Sequence, residues 1–353
     1  MPLNTEALIS LGWNAHFQQQ LSPEELEQTI ACRVMAVHRG QLIVSAGGEE
    51  TTLELTGNRL AEQGEEQMTI GDWLLLSEVD NHFVRLLERT SLIQRQAAGT
   101  DKSIQMVAAN VDTLFIVTSC NDDFNLSRLE RYLALAHTAE VFPVIILTKS
   151  DTTELPDSYL DQSRSLGPDI IVEIVNALEP STLQGVQDWC KPGQTIALVG
   201  SSGVGKSTLA NALGAELQKT GAIREDDAKG RHTTTHRTLL PLRNGAVLLD
   251  SPGMRGLGLA DIGVGVAATF EDVVELAQHC RYKNCLHDSE PGCAVKEAVE
   301  NNLLSPRRIE NYNKLVAEQE HQIRTIAERR KKEKDTAKLH KRVQSQKPSR
   351  RDG

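Results

Sequence analysis

A chain of 353 residues with net charge −10 and 39% hydrophobic residues has room for two or three folded domains. No apolar run approaches the ~20 residues that a membrane-spanning helix needs, and Met1-Pro2-Leu3-Asn4-Thr5-Glu6 has neither the basic nor the apolar region of a secretion signal. Six cysteines, three of them clustered with a histidine, do not make a disulfide framework; they fit a metal site in a reducing compartment, so a cytoplasmic protein is expected.

The first domain is read over residues 1–95. Leu8, Leu11, Trp13, Phe17 and Leu21 make a short amphipathic pattern, and Ser22-Pro23-Glu24-Glu25 is a helix start by its cap and first-turn proline. From Ile30 the period changes to two. Cys32–Val37 and Gln41–Val44 form a hairpin about Arg39-Gly40, followed by strands at Thr51–Leu55, Asp72–Leu76 and His82–Leu87. About five short strands in roughly sixty residues fit a small barrel, an OB-fold being the first candidate; an SH3-like barrel has the same strand pattern. Arg89, Arg95 and Lys102 fall on a polar linker, where they are either RNA contacts or ordinary solvated charges.

The second domain is read over residues 96–270, and from Val111 to Asp250 it alternates strands and helices, the α/β pattern of a mostly parallel sheet. Val111–Val117 is an apolar strand. Leu126–Ala139 is a helix with Leu129, Leu133, Leu135 and Ala136 inward, and Val141–Leu147 is a second strand interrupted only by Pro143. That strand ends in Thr148-Lys149-Ser150-Asp151. A strand-end N/T-K-x-D reads guanine: the Asp151 carboxylate suits the ring N1–H and exocyclic amine, the Lys149 stem packs on the base, and adenine offers no such donor pair. The strand Ile171–Val175 then ends at Asn176-Ala177, where a base-contacting S-A turn would lie.

Gly200-Ser201-Ser202-Gly203-Val204-Gly205-Lys206-Ser207-Thr208 follows the apolar run Thr195–Val199 and precedes a helix ending near Gly214. Strand, G-x-x-x-x-G-K-[ST] loop and helix together hold a triphosphate. Backbone N–H groups and the positive helix end face the anion, Lys206 reaches the outer phosphates, and Ser207 ligates Mg²⁺. Beyond it, Gly230-Arg231-His232-Thr233-Thr234-Thr235 offers a threonine (Thr234, with Thr233 and Thr235 as neighbours) as a further Mg²⁺ ligand. Ala246–Leu249 leads into Asp250-Ser251-Pro252-Gly253, a D-x-x-G in which Asp250 serves Mg²⁺ through its water and Gly253 senses the γ-phosphate. Conventional GTPases place their base-reading motifs after these; here they come first, the order of a circular permutation that leads the second switch straight into the C-terminal domain.

In residues 271–353, Cys280, Cys285, His287 and Cys293 give C-x4-C-x-H-x5-C, a closed three-thiolate, one-imidazole set of the structural zinc kind; the adjacent His279 is the alternative nitrogen ligand. A long helix starts at Ser305-Pro306. Arg329 to Gly353 carries eleven Lys/Arg against three Asp/Glu, +8, leaving −18 on the rest of the chain. Such a tail is either an arm for a polyanion or a solvated terminus.

With barrel, permuted guanine motifs and zinc spacing in this order, the whole chain resembles the bacterial RsgA (YjeQ) family of small-ribosomal-subunit biogenesis GTPases; G-x-H-T-T-T, D-S-P-G and C-x4-C-x-H-x5-C carry the likeness most specifically. The resemblance implies an OB-fold, a permuted GTPase domain and a helical zinc domain with one Zn²⁺ per chain. It also implies Mg²⁺-dependent conversion of GTP to GDP, stimulated by the 30S subunit late in its maturation, with 16S rRNA as contact surface. A monomer is expected. Thr148 stands where GTPases usually carry Asn, and Asn176 where they carry Ser, which predicts weaker loop-to-loop bonds. Met254 replaces the water-orienting glutamine, so the free enzyme is expected to be slow, and His232 is the candidate replacement, its alternative role being packing or rRNA contact. The competing readings are an assembly factor for another ribosomal particle, an RNA-binding module with GTP as switch, and an ATPase, which Asp151 opposes.

Overall fold

The computed structural model describes residues 5–38, 40–54, 68–96, 104–215, 238–250, 263–321 and 323–324, in two compact units, Met1–Ala260 and Asp261–Gly353. The first unit opens with α1 (Thr5–Ser10), α2 (Ala15–Gln18) and α3 (Pro23–Gln28). Ser22 starts α3 as its sequence predicts. Its hydroxyl accepts from the Glu25 N–H at 3.2 Å, and the Glu25 carboxylate accepts from the Ser22 N–H at 2.8 Å, satisfying two donors that the helix itself cannot.

Five strands follow: β1 (Thr29–His38), β2 (Gln41–Ser45), β3 (Glu50–Glu54), β4 (Trp73–Ser77) and β5 (Phe83–Leu86). The ten-residue β1 pairs antiparallel with β2 on one side and β4 on the other, with β3 beyond β2 and β5 beyond β4. The order β3-β2-β1-β4-β5 is that of a five-stranded, partly open OB-fold barrel, and a register shift between Val34 and Ala36 marks a bulge in β1. The run Trp73–Leu76 is apolar throughout because both faces are covered. Leu74 and Leu76 pack inward with Val34, Leu42 and Phe83, while Trp73 and Leu75 meet Leu8, Trp13 and Phe17 from the helices.

Arg33 is buried between these layers, 1% exposed. Its guanidinium donates to the carbonyls of Leu11, Gly71 (3.4 Å) and Asn110 (3.1 Å) and lies 5.6 Å over the Trp73 ring. Burial pulls its pKa down to about 10, against the fields of Asp112 and Asp72. Asp72 in turn accepts from Arg89 at 2.6 and 2.8 Å. Arg89 is therefore tied to the barrel as the partner of a buried carboxylate. The stretch read as a polar linker is instead a hairpin, β6 (Leu92–Gln96) with β7 (Ile104–Ala109). Ile93 and Val107 supply its buried face, and Arg95 donates to Gln105 at 3.3 Å. Lys102 lies outside the described residues.

The rest of the unit is β8 (Thr113–Ser119), α4 (Leu126–Thr138), β9 (Phe142–Thr148), α5 (Pro156–Arg164), β10 (Ile171–Ile174), α6 (Gln184–Asp188), β11 (Thr195–Val199), α7 (Lys206–Ala212), β12 (Thr238–Pro241) and β13 (Val247–Asp250). In space the strands run β10-β9-β8-β11-β13-β12, all parallel except β12, which is antiparallel to β13. Read cyclically from β11, the chain meets phosphate loop, antiparallel strand, D-x-x-G strand and then base-reading strands, the conventional order. The permuted chain thus builds the ordinary sheet. Pro143 precedes the point where β10 begins to pair, at Val144, so no cross-strand donor is lost there. Phe115, Val144, Ile196 and Leu248 share one core with Leu209 and Leu213 of α7. A single bridge, Ala36 to Thr238, joins β12 to β1 and makes barrel and sheet continuous.

The second unit comprises α8 (Gly263–Thr269), α9 (Glu271–Ala277), α10 (Ala294–Glu300) and α11 (306–321). Ser305 caps α11 by accepting from the Arg308 N–H at 3.3 Å. Arg308 then grips Asp272 at 2.7 and 2.8 Å, donates to the Thr269 carbonyl and lies 4.8 Å over the Phe270 ring. Residues 329–353 lie outside the described set. No helix among the described residues is long and apolar enough to cross a membrane.

Candidate functional site

The phosphate loop leaves β11 through glycines at positions where other residues would be strained. Gly200 has φ +144°, and a Cβ there would lie 2.1 Å from the Val117 carbonyl oxygen; Gly205 has φ +95° where α7 begins. Val204, fully buried, anchors the loop in the core, while Ser202, Gly203 and Thr208 are exposed and Ser207 is half-buried in the first turn of α7. Lys206 Nζ donates to the Gly200 carbonyl at 2.9 Å and to that of Ser201, which holds its charge along the loop.

Two of the residues expected to read the base, Thr148 and Lys149, are bonded to this loop. Thr148, buried at the end of β9, donates from Oγ1 to the carbonyls of Val204 at 2.5 Å and Thr118 at 3.1 Å. The loop-to-loop bond expected to weaken without an asparagine is made by the hydroxyl. Lys149 adopts φ +57° and donates from Nζ to the Gly203 carbonyl at 2.7 Å. Ser150 and Asp151 form one turn of 3₁₀ helix with Asp151 exposed. On the neighbouring strand, Asn176 Oδ1 accepts from the Leu178 N–H at 3.1 Å, shaping the turn through Ala177, and the Ser150 N–H donates to the Val175 carbonyl at 3.3 Å.

Asp250 ends β13, next in the sheet to the strand that delivers the loop. Of the residues expected to hold Mg²⁺, Asp250 thus ends β13 and Ser207 lies in the helix that follows β11, on the carboxyl side of adjacent parallel strands, where α/β sheets place ligands. His232, Thr233, Thr234, Thr235, Gly253 and Met254 lie outside the described residues.

The sequence reading missed Asp123 and Arg128. Arg128 Nη1 donates to Ser201 Oγ at 2.8 Å and pairs with Asp123 at 2.9 Å, and Ser201 Oγ donates to the Asp123 carboxylate. No motif marks them; they meet the loop only because β8 and β11 are neighbours.

In the second unit, one ligand atom each from Cys280, Cys285, His287 and Cys293 falls within 4.8 Å of the others. Cys280 Sγ lies 3.8 Å from Cys293 Sγ and 3.6 Å from His287 Nδ1, which is 3.5 Å from Cys293 Sγ. A tetrahedron with Zn–S of about 2.3 Å and Zn–N of about 2.0–2.1 Å has edges of about 3.8 and 3.5 Å. The residues therefore fit zinc. His279 is exposed and outside the cluster. Glu290, another residue without a motif, accepts from the N–H groups of Leu286 (2.8 Å), Asp288 and Ser289 (3.2 Å each) and braces the loop.

The RsgA GTPase family model matches residues 86–260. An ABC transporter model matches 183–347; the phosphate loop in that range is a motif common to many nucleotide-binding families. A small ribosomal subunit biogenesis GTPase RsgA 2 from Vibrio vulnificus is 49% identical over 342 residues, 96% of this chain and 96% of the relative. Among solved structures, YjeQ from Thermotoga maritima superposes with a TM-score of 0.60 at 24% identity, covering 82% of this chain and 98% of its own. YloQ, described as a circularly permuted GTPase, gives 0.58 at 23%, covering 83% and 96%.

Proposed function

This chain belongs to the RsgA family of small ribosomal subunit biogenesis GTPases, and from that premise we propose that it hydrolyses GTP to GDP and phosphate during late maturation of the 30S subunit, touching 16S rRNA. The observation that supports the reading is the bonding of Thr148 and Lys149 to the phosphate loop, because it joins the segment proposed to read guanine to the loop proposed to hold the triphosphate. Lys206 and the loop amides stabilise charge on the transferred group. Ser207, Asp250 and a threonine of 233–235 hold Mg²⁺, which supplies further charge neutralisation; Gly253 senses the γ-phosphate and His232 orients water. One Zn²⁺ on Cys280, Cys285, His287 and Cys293 is structural. The protein acts in the cytoplasm as a monomer, organised as barrel (1–95), GTPase domain (96–270) and zinc domain (271–353).

Met254, in place of a water-orienting glutamine, favours a second component: GTP held as a switch until a partner completes the catalytic site. The test is GTP turnover with purified 30S, 50S and 70S particles. Selective stimulation by 30S is expected; equal or absent stimulation refutes the 30S assignment. Asp151→Asn is expected to shift preference from GTP to XTP, and retained GTP preference would remove Asp151 from base reading.

A further inference from the structure

The second residue of the phosphate loop is gripped from outside the loop. Ser201 Oγ accepts from Arg128 Nη1 at 2.8 Å and donates to the Asp123 carboxylate; Arg128 closes the triangle on Asp123 at 2.9 Å and reaches its carbonyl at 3.2 Å. Asp123 lies in the loop after β8, and Arg128 in the first turn of α4. Their footing is firm. Asn121 Oδ1 accepts from Ser119 Oγ at 2.8 Å and from the Asp123 N–H at 3.1 Å, and Asn125 caps α4 by accepting from the Arg128 N–H at 2.9 Å.

The other polar end of Ser201, its carbonyl, accepts from Lys206. One residue thus connects the triangle to the cation of the phosphate site. Charge matters as much as geometry. Burial opposes ionisation of Asp123, yet bonds from Ser201 and Arg128 and the fields of Arg128 and Lys149 outweigh it and hold the carboxyl below its usual range. A carboxylate beside a polyphosphate repels it unless a cation cancels the charge.

We propose that Asp123 and Arg128 are positioning residues for GTP hydrolysis: they fix Ser201 and, through its carbonyl, the ammonium of Lys206, while Arg128 cancels the Asp123 charge toward the nucleotide. This rests on Lys206 being the phosphate-binding lysine of the proposed function. Removing the cation and removing the grip then have different signatures. Arg128→Ala leaves an uncompensated carboxylate and raises KM for GTP about tenfold, less at high salt. Asp123→Ala/Arg128→Ala removes both charges, so KM returns to within about threefold of the parent while kcat stays low. Arg128→Lys keeps the charge but not the guanidinium geometry that lets Nη1 bond Ser201 and Asp123 together, so KM is preserved and kcat falls.

The experiment is steady-state GTP hydrolysis by the full chain and these three variants at low and high salt, with thermal midpoints recorded alongside. A KM for Arg128→Ala within twofold of the parent, or a double variant with a KM above that of Arg128→Ala, overturns the proposal. Should Arg128→Ala fail to fold, Arg128→Lys and Ser201→Ala decide: unchanged kcat in both overturns it. Lys206→Ala separates the two levels. If that variant turns over GTP like the parent, the reading of the site itself is wrong; if it is inactive while the brace variants match the parent, only the brace is refuted.

Discussion

The phosphate loop and the cysteine loop are built on different plans. The phosphate loop takes its shape from distant parts of the chain: Thr148 and Lys149 reach it from the end of β9, Asp123 and Arg128 from the start of α4, and Val117 backs Gly200. The cysteine loop takes most of its shape from its own residues. Its four ligands come from one stretch between Cys280 and Cys293, Glu290 bonds three N–H groups of that stretch, and the Arg281 N–H donates to the Gly292 carbonyl at 3.0 Å. A loop braced from elsewhere is organised by the fold before any ligand arrives. A loop of clustered thiols held mostly by its own bonds, with Asn313 donating to the Leu286 carbonyl from outside at 3.2 Å, is expected to depend on the ion it would bind.

Stripping the metal tests that contrast with the largest expected effect. Structural zinc contributes apparent free energies of roughly 10–16 kcal/mol in small domains, so chelation, or Cys280→Ser, should unfold the second unit. All three tryptophans, Trp13, Trp73 and Trp189, lie in the first unit. Helical circular dichroism should therefore fall while tryptophan fluorescence and GTP affinity hold; a parallel loss of all three signals would contradict a self-contained metal loop.

Next in size is Lys206→Ala. Losing one preorganised donor for developing charge costs roughly 10²–10³-fold in turnover, measured as kcat with the thermal midpoint unchanged. Retained turnover would show that the ammonium stabilises the loop alone. Thr148→Val comes third. It leaves the Val204 carbonyl without the Thr148 donor inside the core, at about 1–3 kcal/mol, and should lower both thermal stability and nucleotide affinity; an effect on only one of them would mean that the base-reading segment and the phosphate loop are not coupled.

The smallest effect belongs to a brace that touches neither loop. The Arg85 guanidinium bonds Glu25 at 2.6 and 3.0 Å and, with the Ser22 N–H, draws its carboxyl down to about 2 from an ordinary 4.5. A depressed carboxylate stabilises the fold above its unfolded pKa, and that contribution disappears as pH falls from about 4.5 toward 2. Both side chains are partly solvated, so the contribution is of order 1 kcal/mol or less. Glu25→Gln should flatten the acid limb of a stability-versus-pH curve in that window, and an unchanged limb would show the pair to be energetically silent.

What the sequence made legible is what its spacing encodes. Gly200 to Thr208 and the four zinc ligands are local patterns, and the structure brings each set together. The strands β8, β9 and β10 were legible as apolar runs, and β9 and β10 lead into the polar segments Thr148–Asp151 and Asn176-Ala177 expected to read the base. Contacts between residues far apart in sequence were not. Arg33 sits in the strand run Cys32-Arg33-Val34, where alternation suggests a solvent-facing charge; its burial depends on carbonyls at 11, 71 and 110 meeting around it. Asp123 and Ser201 are joined only by the packing of β8 against β11. Arg89 and Arg95 looked like a linker because the hairpin β6–β7 buries few side chains, and Arg89 because its carboxylate partner, Asp72, lies in the barrel.

The cyclic strand order also imposes a schedule on synthesis. The ribosome releases β8, β9 and β10 before β11, so the half of the sheet that ends in Thr148–Asp151 and Asn176 is made before the half that carries Gly200–Thr208. Until Thr195–Val199 emerges, the side of β8 that will receive β11 is an open ladder of amides and carbonyls. The strand that completes the sheet, β13, is also made last, and it must enter between β11 and β12. The six-stranded sheet is therefore completed only as the chain passes toward the second unit, which begins at Asp261.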